Sequence, residues 1–335
     1  MQKKFFGAVA IAALASTLLV GPAQASETVT AGGASYTFAL QQVCTQAYRE
    51  HKVTYASVGS GTGKTNFRNG TYDFGGSDSL YSATEAKPKN FVYIPLLGGP
   101  VTLAYNLPGV TRLNLTPKII GDIYEGRITS WQDKAIVAIN RTAKLPKSPI
   151  VPVFRSEGSG TTFNFTNWLK QKKAGSFKAT DAFAASTTVV KGAIGSRGNS
   201  GVATSIASTT GAIGYIDIAD ADKNKLPYAH VQNSAKQFIK PTVANSKLFI
   251  EKQLLKASGE VAFDYNKVIR GAYDLSLVSY GLAPTANGSA KAAAVKDYLT
   301  YFVNDCARQN AAKEGYVALS GPILKKANEL IRRIK

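Results

Sequence analysis

The stretch that decides the fold reads Ile150-Val151-Pro152-Val153-Phe154-Arg155-Ser156-Glu157-Gly158-Ser159-Gly160-Thr161. Its first five residues are apolar and largely β-branched, which suits a short buried strand. Gly158-Ser159-Gly160 then breaks the run, and residues 161–173 take up a helical spacing of apolar positions. A strand passing through a small-residue turn straight into a helix is the building unit of an α/β fold. The same design appears twice earlier. Gly33-Ala34-Ser35-Tyr36 joins a strand over 27–31 to an amphipathic helix over 36–51, and Gly59-Ser60-Gly61-Thr62-Gly63 follows a strand over 53–58.

Strand-like runs also lie at 91–97, 101–105, 211–216 and 278–282. Helices are expected at 116–124, 132–140, 292–310 and 323–334. This alternation predicts an α/β architecture with mixed, mostly parallel sheets. Asn106-Leu107-Pro108-Gly109 is the strongest punctuation in the chain and marks a crossing between domains.

Each small-residue turn places a serine at the mouth of a helix. A helix start presents unpaired N–H groups and the positive end of the helix dipole. Small residues let an anion approach that backbone, and a hydroxyl adds a donor, so each turn is a potential oxyanion cradle as well as an ordinary cap. Arg155 adds a planar fork suited to two oxygens of one anion, with Glu157 placed to hold it. Asp78, in Phe74-Gly75-Gly76-Ser77-Asp78, is an acceptor and not a donor when ionised. Beside an anion it repels, unless that anion still carries a proton. Phosphate does near neutral pH and sulfate does not, so Asp78 would select phosphate.

Enzyme chemistry is not expected. His51 and His230 are the two histidines, and neither lies near a recognisable catalytic motif. There is no H-x-x-x-H, C-x-x-C or G-x-S-x-G pattern. Gly63-Lys64-Thr65 looks like the end of a nucleotide-binding loop, but Val58 stands where its first glycine is needed. No metal ligands and no cofactor are expected.

In combination these segments resemble the periplasmic phosphate-binding protein of bacterial ABC phosphate importers. The matching pieces are Ala31-Gly32-Gly33-Ala34-Ser35-Tyr36, Val58-Gly59-Ser60-Gly61, Asp73 to Asp78, Asn106 to Gly109, Gly121 to Trp131, Arg155 to Thr161, Gly198-Asn199-Ser200-Gly201 and Gly211 to Tyr215. They occur in the family's order across most of 31–215, and the likeness is weak over 217–273. The resemblance implies two lobes around a cleft, closing about a hinge near Asn106. Residues 26–105 with 274–335 would form the first lobe and 106–273 the second. It implies that inorganic phosphate is bound by Ser35, Tyr36, Ser60, Asp78, Arg155, Ser159, Gly160 and Thr161, with Glu157 supporting Arg155. It further implies a monomer that delivers phosphate to membrane ABC permease components. Tyr36-Thr37 stands where an aromatic followed by proline is common, Gly61-Thr62 where Ser-Gly is usual, and Glu157 where aspartate is expected. Arsenate fits the same reading, and two other readings stand beside it: a binder of another oxyanion, and an exported protein of this fold that acts in surface adhesion.

Met1-Gln2-Lys3-Lys4, an apolar run over 5–20 and Pro22-Ala23-Gln24-Ala25 form the three parts of a secretory signal peptide, residues 1–25. The apolar run is shorter than the ~20 residues that span a bilayer. The expected destination is the periplasm or the exterior. Lysine and arginine outnumber aspartate and glutamate by 40 to 21, a formal charge of +19. Removal of the leader with Lys3 and Lys4 lowers this by two, to +17. The cations are dispersed and not interleaved with stacking aromatics, so nucleic acid is not an expected partner. Cys44 and Cys306 each lie on the apolar face of an expected helix. They form a disulfide if those faces meet and two buried thiols otherwise.

Overall fold

A computed structural model describes residues 26–286 and 289–335. The leader expected over 1–25 lies outside the described residues. Two main sheets carry the molecule. The first has the strand order Val317–Ala318, Phe91–Pro100, Ser276–Pro284, Phe74–Ser77, Thr28–Gly33, Lys52–Ser57. Its last three strands run parallel, while the pairings through Ser276–Pro284 and Phe91–Pro100 are antiparallel. The reason is topological: Phe91–Pro100 carries the chain out of this sheet and Ser276–Pro284 brings it back. The second sheet is ordered Thr102–Tyr105, Ala212–Ile216, Val151–Arg155, Ile194–Ser196, parallel except at its first pair. Smaller sheets of three and two strands decorate the part between residues 114 and 262.

The chain passes between sheets with no turn at all. Strand Phe91–Pro100 continues through Val101 into Thr102–Tyr105, whose partner is Ala212–Ile216. Thr102–Tyr105 therefore belongs to the second sheet, although the sequence groups it with 26–105. Asn106 caps the crossover inside that sheet, its Nδ2 donating to the carbonyls of Ile206 and Ala207. Helix Val243–Ile250, within the expected second piece 106–273, packs on the first sheet instead. It lies against Phe91–Pro100 and Ser276–Pro284, and Ser276 Oγ donates to Ser246 Oγ at 3.0 Å.

Packing follows composition. Ala212–Ile216 is buried along its whole length, as a central strand covered on both faces must be. Helix Gly160–Gln171 covers one face, with Phe165 stacked on Tyr215 at 4.3 Å. Helix Gly198–Ser208 covers the other through Val202, Ala203 and Ile206. In the first part, helix Phe38–Ala47 and the π-helical turn Phe302–Cys306 bring Cys44 and Cys306 together in a disulfide. The pairing left open by the sequence is thus made, and it joins the two ends of the chain across 262 residues of sequence separation.

Between the crossings lies a polar hub. Asp274 accepts from Trp168 Nε1 at 3.0 Å, from Lys172 Nζ at 2.6 Å and from the Ser234 N–H at 3.1 Å. Both charges are buried. The C-terminal end of helix Gly160–Gln171 is thereby fixed to the returning crossing, next to the Val101 N–H that donates to the Leu275 carbonyl.

Candidate binding cleft

Strand Thr28–Gly33 ends in Ala34 and a single 3-10 turn, Ser35–Thr37, which leads into helix Phe38–Ala47. The Asn199 N–H donates to Ser35 Oγ at 3.1 Å. That oxygen already serves as acceptor, so its hydrogen remains available to donate. Tyr36 uses its hydroxyl elsewhere, donating to the Pro100 carbonyl at 3.0 Å. What it has left to offer a ligand is the backbone N–H of the turn.

The second turn begins at Gly59, whose φ of 87° is a left-handed conformation that favours glycine. A Cβ there would lie 2.9 Å from the Gly158 carbonyl oxygen. Helix Ser60–Arg68 follows, and the Asp78 N–H donates to Ser60 Oγ at 3.2 Å. The Gly61 N–H donates to the Gly158 carbonyl at 2.9 Å, so the second and third turns touch.

The third turn starts helix Gly160–Gln171. Ser159 is its N-cap, with Oγ accepting from the Thr162 N–H at 3.1 Å. The N–H groups of Gly160 and Thr161 stand at the first helical positions, where no intrahelical acceptor exists. Gly160 has no room for a side chain: a Cβ would sit 2.7 Å from both Asp78 Cβ and Ser60 Oγ.

Arg155, at the end of its strand, is buried. Its Nε donates to Glu157 Oε1 at 2.9 Å, Nη2 donates to the same oxygen, and Nη1 donates to Asn199 Oδ1 at 2.8 Å. Three of the five guanidinium hydrogens are so engaged, leaving one on each terminal nitrogen. Glu157 Oε1 also accepts from the Gly198 N–H at 2.9 Å. Burial opposes the charge on Glu157, but Arg155 and Gly198 outweigh it and hold the carboxyl below its ordinary range.

Asp78 faces these donors from the end of strand Phe74–Ser77. Its Oδ1 accepts from Ser279 Oγ at 2.6 Å and its Oδ2 from Thr161 Oγ1 at 3.3 Å. Burial pushes its carboxyl up to about 6, against the opposing pull of Ser279, Arg155 and Thr161. The side chain thus accepts hydrogen bonds as an anion at neutral pH, in a place that penalises the charge.

All of Ser35, Tyr36, Ser60, Asp78, Arg155, Glu157, Ser159, Gly160 and Thr161 meet around one cleft between the two sheets. The sequence did not single out three residues that complete it. Ser279 holds Asp78. Asn199 holds Arg155, and its Nδ2 donates to the buried Asp217 at 2.7 Å. Asn164 donates to the Asp78 and Gly160 carbonyls at 2.7 and 2.9 Å. Asn199 had a signal, since Gly198-Asn199-Ser200-Gly201 is a fourth small-residue helix start. Ser279 had none, being one serine in an apolar strand.

A sequence profile described as PBP superfamily domain matches residues 20–305. The chain is 31% identical over 309 residues to phosphate-binding protein PstS of Xylella fastidiosa strain Temecula1, an alignment covering 89% of this chain and 83% of that protein. It is 36% identical over 222 residues to phosphate-binding protein PstS of Pasteurella multocida, covering 65% of this chain and 64% of that one. Among solved structures, a high-affinity periplasmic phosphate-binding protein, PfluDING, bound with phosphate at pH 8.5, superposes with a TM-score of 0.74. It is 25% identical, over 90% of this chain and 93% of that one. A two-sheet α/β protein with an inter-sheet cleft of donors is thus a member of the PBP superfamily, and within it the chain belongs to the PstS phosphate-binding proteins.

Proposed function

We propose that this chain captures hydrogen phosphate in the cleft and delivers it to the membrane components of an ABC importer. The observation that carries the reading is the single acceptor, Asp78, set among donors from both sheets. The hydroxyls of Ser35, Ser60 and Ser159 each accept a backbone N–H, which turns their hydrogens toward other acceptors. With the N–H groups of Tyr36, Gly160 and Thr161 and the two remaining hydrogens of Arg155, they would surround a tetrahedral anion. Asp78 would take the proton of that anion, which phosphate has and sulfate lacks. The names of the relatives support phosphate as the solute and binding, not catalysis, as the activity.

The two sheets, the first carrying helix Val243–Ile250 and the second built from 102–216, would move as lobes about crossings that include Val101 and Leu275. Closure brings the Gly61 and Gly158 turns together and gives the importer a loaded shape to recognise. Disulfide formation fits an oxidising compartment, which supports export to the periplasm by the leader over 1–25.

Calorimetric titration of the mature protein, freed of bound anion by partial unfolding and refolding, tests the reading. Tight one-to-one binding of phosphate with no heat from sulfate is expected. Equal binding of both anions, or of neither, would defeat it.

A further inference from the structure

Lys64 belongs to the Gly63-Lys64-Thr65 segment, whose nucleotide-loop resemblance leads nowhere, yet it is 1% exposed. A buried ammonium requires partners. It has two carboxylates: Glu85 Oε1 at 2.8 Å and Asp181 Oδ2 at 2.7 Å. These come from opposite sides of the cleft. Glu85 follows Asp78 on the loop leaving the first sheet. Asp181 follows helix Gly160–Gln171, which packs on the second. Ser79, next to Asp78, also donates to Asp181 Oδ2, at 3.0 Å. The main chain of Asp181 faces the other way, its carbonyl accepting the Ser159 N–H at 2.9 Å. Asp181 is therefore held by the first lobe at its side chain and holds the N-cap of the third helix start at its backbone.

We propose that Lys64 is a positioning residue for phosphate capture: it draws Asp181 across the cleft as the lobes close, and so fixes the Ser159–Gly160–Thr161 helix start around the anion. This rests on the phosphate reading and on lobe closure. The arrangement is one-sided in a useful way. When the lobes part, Glu85 keeps Lys64 paired, so opening never leaves a lone buried ammonium. Asp181, already 19% exposed, passes into water. A cavity of about 490 Å³ bordered by Asp78, Glu85, Asp181 and Tyr280 adjoins the cluster and gives water a route to it on opening. Lys64 thus contributes to the closed form and hardly at all to the open one.

The test is a double-mutant cycle on the mature protein with Lys64→Met, Asp181→Asn and both together. Phosphate affinity, the dissociation rate and the melting temperature without phosphate are measured for each. Each single variant should bind phosphate about tenfold more weakly, through faster release, because breaking a buried charged pair acts mainly on dissociation. The double variant should be no weaker than the singles. Melting of the phosphate-free Asp181→Asn protein should match wild type, and phosphate should still be preferred to sulfate. Unchanged affinity, additive losses, or an Asp181→Asn loss of phosphate-free stability would overturn the proposal. Should Lys64→Met fail to fold, Asp181→Asn carries the test by its dissociation rate and melting temperature. If wild type itself does not bind phosphate, the phosphate reading fails before any variant is made, and the proposal with it.

Discussion

Asp78 is the residue on which the proposed selectivity and the stability of the fold meet. Its folded-state carboxyl is raised from 3.8 to about 6 by burial. The folded protein holds this proton more tightly than the unfolded chain does. Asp78 therefore favours folding most below its unfolded value, and that contribution, about 3 kcal/mol, is lost as pH rises through about 6. Asp78→Asn should accordingly raise the phosphate-free melting temperature at about pH 7.5 and change it little at about pH 4.5. The same variant should begin to bind sulfate. Melting curves at the two pH values and a sulfate titration check both; a variant that melts lower at the higher pH would contradict the assigned cost. The residues of this cleft were largely legible in the sequence because glycines, serines and an Arg-x-Glu pair signal helix mouths and anions directly. Ser279 was not, since its role arises from a partner 201 residues away, at Asp78.

At the scale of elements, legibility depended on periodicity. Helix Gly160–Gln171 and the strands Val151–Arg155 and Ala212–Ile216 stand close to where their apolar spacing predicts. Helix Gly198–Ser208 gave no such signal, because glycine, serine and alanine fill most of it and its core contact needs only Val202, Ala203 and Ile206. The expected helix over 292–310 is interrupted by the π-helical turn at Phe302–Cys306, where Cys306 reaches Cys44. The strand Phe91–Pro100 and its continuation were read as separate runs, but nothing in Val101 announces a change of sheet. The disulfide is the element-level feature with the clearest test. It lies in the first part, away from the cleft residues. Cys44→Ser with Cys306→Ser should lower stability by about 2–5 kcal/mol and leave phosphate affinity unchanged. Denaturant unfolding and calorimetry measure the two; a loss of affinity would mean that the bond also shapes the cleft.

The whole molecule is organised by its crossings and what holds them. Val101 and the return before Ser276 join the two sheets side by side, and the chain also passes back to the first sheet on its way into helix Val243–Ile250. The Asp274 hub lies beside that return and is tied through Trp168 and Lys172 to the helix whose opposite end opens on the cleft. Asp274→Asn would leave Lys172 buried without its counter-charge, a change that costs about 3–5 kcal/mol. Chemical denaturation should register this loss, while the protein that remains folded should keep its preference for phosphate over sulfate. A neutral effect on stability would show that water replaces the pair. Global charge belongs to this scale too. The excess of cations sits mostly on the surface, whereas Asp78, Asp217 and Asp274 are buried and Glu157 is partly buried, each beside donors. Net charge therefore said little about the cleft.

The bond between Cys44 and Cys306 has a consequence in time. A chain made from its N-terminus presents Cys44 well before Cys306, which follows 262 residues later. The strands Thr28–Gly33, Lys52–Ser57 and Phe74–Ser77 must then wait for Ser276–Pro284 to arrive before their sheet can be completed. The intervening residues can meanwhile assemble their own sheet, Thr102–Tyr105 with Ala212–Ile216, Val151–Arg155 and Ile194–Ser196, from a contiguous stretch. The sheet of the middle segment is thus the first able to form, and oxidation of the cysteine pair is a timestamp that the chain as far as Cys306 has emerged and docked on helix Phe38–Ala47.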